Sequence, residues 1–397
     1  MRILSLPALA LALALPASAQ QPEISARDRA AHQRMIVLDT HLDIPERWDD
    51  GLWDFSVRHH YSEDGSQVDL PRMAEGGLDG GFFVIYTAQG DLTPAGYAAA
   101  RDAALVRAAA IRRVIGENRA SLGLALTAAD AERLHRAGKR IAFISMENSW
   151  PLGEDLSLLT TFHRLGVRMA GPVHSRTNQL ADSATGEARW HGFSPLGRRW
   201  VAEMNRLGIV IDGSHSSNDT FDQMLELSRV PIVLSHSGPS AIFAHRRNID
   251  DDRMRRLARA GGVMFMNSIF MVQHDGSPER DALNERREHW GELDAAGRRR
   301  LAADMAALNA QRPYTTADFD LYMRSLLHAV SVMGADHVGL GADWDGGGGV
   351  IGMDDATALP RIGARLRRGG MSEADIAKIM GGNLLRVLRQ VEAGAGR

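Results

Sequence analysis

Met35-Ile-Val-Leu-Asp-Thr-His-Leu-Asp43 is an apolar run that ends in an imidazole and a carboxylate two residues apart. Its apolar part, residues 35–38, has the length and branched content of a buried strand. Side chains at i and i+2 of a strand share one face, so His41 and Asp43 can turn toward one metal ion together. One such pair means little. It becomes decisive because the same pattern, a short apolar run followed by a ligand-type side chain, recurs along the chain.

Eight such runs stand at residues 35–38, 81–86, 141–145, 167–173, 209–211, 232–234, 263–266 and 338–340. Between most of them lie amphipathic stretches with apolar spacing near the helical repeat: 98–118, 127–137, 155–165, 195–207, 220–228 and 250–260. Strands alternating with helices predict a parallel sheet, and eight units predict a (β/α)8 TIM-type barrel. An open doubly wound sheet is the alternative, but no G-x-G-x-x-G follows the first run. Residues 279–312 are charged and helical in pattern, too long for a simple strand-to-helix loop. They predict a helical insertion, near 275–313, lying over the barrel mouth.

The residues after each run carry the chemistry. Run one leads to His41 and Asp43, run three to Glu147, run four to His174. Run five leads to Asp212-Gly-Ser-His215, run six to His236, and run eight to Asp343-Trp-Asp345-Gly346. In a barrel these strand ends share one face, where catalytic groups gather. Structural histidines have no reason to choose the same end of successive strands. His32, His59, His60, His135, His163, His191 and His274 fall in helices or loops and receive no role, and His245 and His337 are read as structural. Imidazoles and carboxylates without thiolates suit zinc, manganese or another borderline divalent ion. The candidates exceed one catalytic zinc site with its three protein ligands. They suit two ions about 3.5–4 Å apart with a bridging hydroxide, an arrangement that favours hydrolysis of an amide or ester.

The bulk properties agree. A chain of 397 residues is long enough for one large core with insertions. A formal net charge of -3 gives no reason to expect nucleic acid or an anionic membrane surface as partner. With 0 cysteines, thiol catalysis and cysteine-ligated zinc are excluded. Residues 1–19 read as a signal peptide: Arg2, an apolar stretch from Ile3 to Leu15, and Ala17-Ser-Ala19 before Gln20. The expected mature protein is a single barrel domain over 20–397, exported to the periplasm or secreted, with no stable membrane anchor after signal cleavage.

These motifs resemble the renal dipeptidase-like (membrane dipeptidase) zinc metallopeptidases. The resemblance runs from His41 to about Val387. It rests on Asp39-Thr-His41-Leu-Asp43-Ile-Pro45, His174-Ser-Arg-Thr-Asn178, Asp212-Gly-Ser-His215, Ser235-His236-Ser237, Arg246-Arg247-Asn248-Ile249, Gly341-Ala-Asp343-Trp-Asp345-Gly346 and Gly382-Asn-Leu-Leu-Arg386. It implies that His41 and Asp43 hold a first Zn2+, that His215 and His236 hold a second, and that Glu147 bridges them. It implies Asp343 as general base and then acid, His174 as oxyanion partner, and Arg247 as the group that pairs with the free carboxylate of a dipeptide. Arg246 is the alternative for that last task. A C-terminal D-residue is often accepted in this family, and the resemblance admits a homodimer. Leu42 stands where the commoner motif has Asn, and Asn148-Ser-Trp150 stands where glycines usually follow the bridging Glu. The alternative activity is a binuclear amidohydrolase of the same fold acting on a lactam, an N-acyl amino acid or another amide or ester. A non-catalytic barrel would have lost the ligands or the acid–base residue, and all are present.

Overall fold

The computed structural model describes residues 24–49, 51–290 and 293–396. The signal-peptide expectation falls on residues 1–19, outside the described residues. Among the described residues, no helix is long and apolar enough to cross a membrane.

Nine parallel strands form the sheet: β1 Leu38–Leu42, β2 Gly80–Tyr86, β3 Leu122–Leu124, β4 Arg140–Glu147, β5 Val167–Ala170, β6 Val210–Ile211, β7 Val233–Ser237, β8 Val263–Met266 and β9 Val338–Leu340. They follow the order β6-β5-β4-β2-β1-β9-β8-β7, with β3 paired to β4 off this path. A single parallel bridge, Asp212↔Val233, joins the two ends. The result is the nearly closed eight-stranded barrel expected from the sequence. Every barrel strand ends on the same rim.

The strands read as continuous apolar runs because both faces are buried. Phe82 and Phe143 stack with centroids 5.0 Å apart. They share a cluster with Leu38, Met169, Val210, Val233, Val263 and Phe265. The C-terminal helix Asn383–Gly394 adds Leu384, Leu385, Leu388 and Val391 to that cluster. Their chain neighbours Phe83, Ala142 and Ile144 pack instead into the larger cluster shared with the surrounding helices. Those helices start and stop on local signals. Pro195–Leu207, for example, begins with Ser194 accepting from the Gly197 amide and Pro at the first turn, and ends at Gly208 with φ 70°.

Most strand boundaries shift from the sequence reading by a residue or more, and three differences have a clear cause. The first strand starts at Leu38 and includes His41, because its pairing with β2 continues past the apolar run to Leu42↔Phe83. The run 167–173 is strand only to Ala170: the Gly171 amide still donates to the Met146 carbonyl at 3.0 Å, but Pro172 has no amide to continue the ladder. The short β3 was not foreseen, as Leu122-Gly-Leu124 has too few residues to show a period.

The insertion is two helices, Pro278–Glu288 and Ala295–Gln311. Arg287 Nη2 donates to the main-chain oxygen of Asp345 at 2.9 Å, which ties the insertion to the loop after β9. The second helix packs on the short helix Tyr61–Asp64 from the loop after β1.

Candidate metal centre

Glu147, the last residue of β4, sits at the middle of the rim. Its Oε1 lies 2.9 Å from His215 Nε2 and 3.4 Å from His236 Nε2. Its Oε2 lies 3.5 Å from His41 Nε2. His41 Nε2 is in turn 3.3 Å from Asp43 Oδ2. One carboxylate thus presents one oxygen to β6 and β7 and the other to β1. His41, Asp43, Glu147, His215 and His236 are all buried.

The way His41 and Asp43 meet differs from simple strand alternation. Asp43 lies past the strand end, with φ -87° and ψ 3°, and caps the short 3-10 helix Ile44–Arg47. Its amide still donates to the Trp344 carbonyl at 2.9 Å, so the loop after β9 holds it in place.

The donor set fits divalent metal. Tetrahedral ligands about 2.0–2.1 Å from an ion lie about 3.4 Å from one another, close to most of the separations above. His215 Nε2 and His236 Nε2 are only 2.8 Å apart. A single shared proton can satisfy that pair but not Glu147 as well, whereas a cation satisfies all three. Burial, reinforced by Arg247, drives the pKa of His215 and His236 well below the usual histidine range, so both rings keep their lone pairs. Burial opposes ionisation of Glu147, but the surrounding imidazoles, His41 foremost, override it and hold the carboxyl well below its ordinary value. Burial also opposes charge on His41, yet Asp43 and Glu147 raise its pKa well above the usual range.

Neighbouring residues orient the ligands. Asp212 Oδ1 accepts from the Ser214 and Ser235 amides at 3.0 and 2.8 Å, and Ser235 Oγ lies 2.8 Å from His236 Nδ1. Asp212 is therefore a brace behind His236, and of the Asp212-Gly-Ser-His215 motif it is His215 that enters the centre. Asp39 accepts from the amides of His41 and Ala342, both at 2.9 Å, and so joins the two loops. Asn148, His215, Asp343 and Asp345 all have φ between 65° and 66°. Left-handed backbone costs a non-glycine residue about 1–2 kcal/mol, and here it turns each chain sharply at a strand end. Asn148 takes the conformation a glycine would, and its Oδ1 accepts from the Trp150 amide at 3.2 Å.

The remaining candidates flank the centre. Asp343 Oδ1 lies 4.0 Å from His41 Nε2. Burial pushes its carboxyl up to about 7, with Asp43 and Glu147 adding to the shift and His41 opposing it. Asp345 turns away: it accepts from the Gln67 amide at 3.1 Å and faces Arg47 Nε at 3.4 Å. His174 Nε2 is 3.9 Å from Glu147 Oε1, its Nδ1 is 3.0 Å from Ser175 Oγ, and its ring meets Tyr86 edge-on at 4.9 Å. Arg247 and Arg246 part company. Arg246 is exposed, whereas Arg247 is 5% exposed and lies 5.1 Å over the Phe270 ring. Arg247 Nη2 donates to the His236 carbonyl at 3.3 Å, while its buried Nε has no partner among the described residues. Among the described residues no carboxylate reaches it within 4.0 Å, and burial lowers its pKa to about 10.

Two features had no reading in the sequence. Gly346 lies where a methyl group would overlap both Asp43 Oδ2 and Asp343 Oδ1; a glycine-rich loop is visible in sequence, but this contact is not. A cavity of about 540 Å³ adjoins the centre between Asp43, Asp345 and the inserted helices. Histidines outside the centre have other partners, such as Gly76 O for His32, Asp79 for His135 and Gly262 O for His337.

Comparison with known proteins agrees with this arrangement. A family model described as Membrane dipeptidase (Peptidase family M19) matches residues 25–397. Dipeptidase tcpJ of Claviceps purpurea (strain 20.1) is 31% identical over 350 residues, covering 86% of this chain and 73% of that protein. The solved structure of the probable dipeptidase PvdM from Pseudomonas aeruginosa aligns with a TM-score of 0.80 at 28% identity, covering 93% of this chain and 98% of that one. A metallo peptidase from Rhodobacter sphaeroides, solved with a phosphinate mimic of the dipeptide L-Ala-D-Ala, aligns at 0.71 and 27% identity over 90% of this chain and 99% of that one.

Proposed function

Because this chain belongs to the membrane dipeptidase family, peptidase family M19, we propose that it cleaves the peptide bond of dipeptides with two zinc ions held by His41, Asp43, Glu147, His215 and His236. It is a metallo-dipeptidase, a hydrolase of dipeptide substrates.

The carrying observation is Arg247. A buried guanidinium with no carboxylate partner among the described residues, attached to a strand end of the metal centre, calls for an anion from the substrate. A dipeptide's terminal carboxylate supplies that anion and matches the guanidinium fork. His41 and Asp43 would hold one ion and His215 and His236 the other, with one Glu147 oxygen for each. Ions bound there supply Lewis acidity toward the scissile carbonyl and a water acidic enough to attack at neutral pH. Asp343, on the β9 side of His41, would accept the proton of the attacking water and deliver it to the leaving amine. The His174 imidazole, whose side chain is 27% exposed and faces Glu147, would donate its N–H to the developing oxyanion. The phosphinate mimic in the Rhodobacter sphaeroides relative supports extending the substrates to those with a C-terminal D-residue. The reading of residues 1–19 supports an exported protein, and a mature N-terminus at Gln20 would test it.

A dipeptide library with L and D residues at each position, assayed with added zinc, tests the activity. Failure on every dipeptide would move the assignment to a lactam, N-acyl amino acid or related amide. Fewer than one metal per chain after zinc-replete expression would sink the two-ion centre.

A further inference from the structure

The cavity under the inserted helices belongs to no step above. Asp43 and Asp345 border it at the rim, and Tyr61, Trp290, Met305, Tyr314 and Ile351 supply much of its wall. Its roof is pinned: Arg287 donates to the Asp345 carbonyl at 2.9 Å, and the Arg47 guanidinium lies 4.7 Å over the Trp290 ring and 3.4 Å from Asp345 Oδ1. Much of the charge around it is already engaged. Arg280 faces Asp275 at 3.3 Å, and Asp64 accepts from Trp53 Nε1 at 2.9 Å. Glu46 and Asp354 also line it, and the rest of the surface left for a ligand is largely apolar and aromatic. The volume of about 540 Å³ falls in the range of small-molecule sites.

Position assigns the occupant. Arg247 is anchored to the end of β7, while the cavity lies over β9 and β1, a different sector of the rim. A substrate carboxylate on Arg247 leaves the C-terminal residue near β7. The chain then reaches the centre with its scissile carbonyl, and the amino-terminal residue continues beyond it toward Asp43. We infer that this cavity is the subsite for the amino-terminal side chain and that it selects large, mainly apolar residues there; the inference rests on the dipeptidase reading above. A methyl side chain would leave the cavity to water, whereas an aromatic one would bury its surface against Tyr61, Met305 and Tyr314.

The test compares kcat/KM of the zinc-loaded enzyme for Phe-Ala, Ala-Phe and Ala-Ala. Phe-Ala is expected to exceed Ala-Ala by roughly tenfold or more, as differences of a few carbon groups in an apolar pocket allow. Ala302→Trp and Met305→Trp, which narrow the cavity from two positions on one helix, are expected to lower the Phe-Ala to Ala-Ala ratio by a similar factor. The Ala-Phe to Ala-Ala ratio should hold. Equal rates for Phe-Ala and Ala-Ala in the wild type would overturn the inference whether or not either variant folds. So would a folded, metal-loaded variant whose Phe-Ala ratio stays put, or one that loses Ala-Phe instead. Cleavage of none of the three would remove the dipeptidase reading itself, a result distinct from cleavage without size preference.

Discussion

The main-chain oxygen of His236 accepts a hydrogen bond from Arg247 Nη2 at 3.3 Å. The candidate carboxylate reader is thereby fixed to the strand end that carries an imidazole of the metal centre. Distance between carboxylate and scissile bond is then set by one short segment of β7, not by two independent loops.

Arg247→Ala is expected to lower kcat/KM for dipeptides by roughly 100-fold, since losing one side of a buried charge pair costs about 2–5 kcal/mol. The corresponding dipeptide amides, which lack the carboxylate, should lose far less. Equal losses on both would show that Arg247 supports the fold and not substrate recognition.

Asp343→Asn should retain fold and metal while kcat falls by roughly 10²–10⁴-fold, the usual worth of a positioned proton carrier. Asp345→Asn should do the reverse, since Asp345 faces Arg47 and the Gln67 amide. Its expected signature is a lowered melting temperature with kcat within a few-fold. Near-native turnover in Asp343→Asn would hand the proton role to another group.

Gly346→Ala drives a methyl group into Asp43 and Asp343. Overpacking of this kind typically costs about 1–3 kcal/mol. The loss should appear as reduced metal content and reduced kcat together. A variant with full metal and full rate would mean that the loop yields freely.

A chelator should abolish activity, and added zinc should restore it. The loaded protein should melt higher than the stripped one, because binding to the folded state alone stabilises it. Imidazole and carboxylate ligands bind metal only when deprotonated, so metal retained after gel filtration should fall as pH falls. A melting temperature indifferent to metal would contradict a centre built from buried ligands.

Much of this was legible in the sequence because buried parallel strands are written as short apolar runs, and each is followed by its rim residue. His41, Glu147, His215 and His236 meet in the structure as their strand ends imply. The less legible parts depend on backbone direction. Asp212 and His215 are three residues apart and chemically alike as ligands, yet the left-handed turn at His215 sends one behind the sheet neighbour and the other into the centre. Arg246 and Arg247 are indistinguishable by type and are separated only by which way the loop before the helix Asp251–Arg259 faces. The cavity depends on a contact between Arg287 and the Asp345 carbonyl, and a backbone carbonyl leaves no trace in residue identity.

β1 and β9 are neighbours in the barrel, joined at Asp39↔Leu340 and, just past β9, at Leu42↔Trp344, although Thr40 and Leu340 are 300 residues apart in the chain. A nascent chain stopped before β9 therefore already contains every imidazole of the centre and still lacks the seam that positions His41 and Asp43. The seam is thus the last part of the site to be completed along the chain, after all five residues assigned to the metal centre.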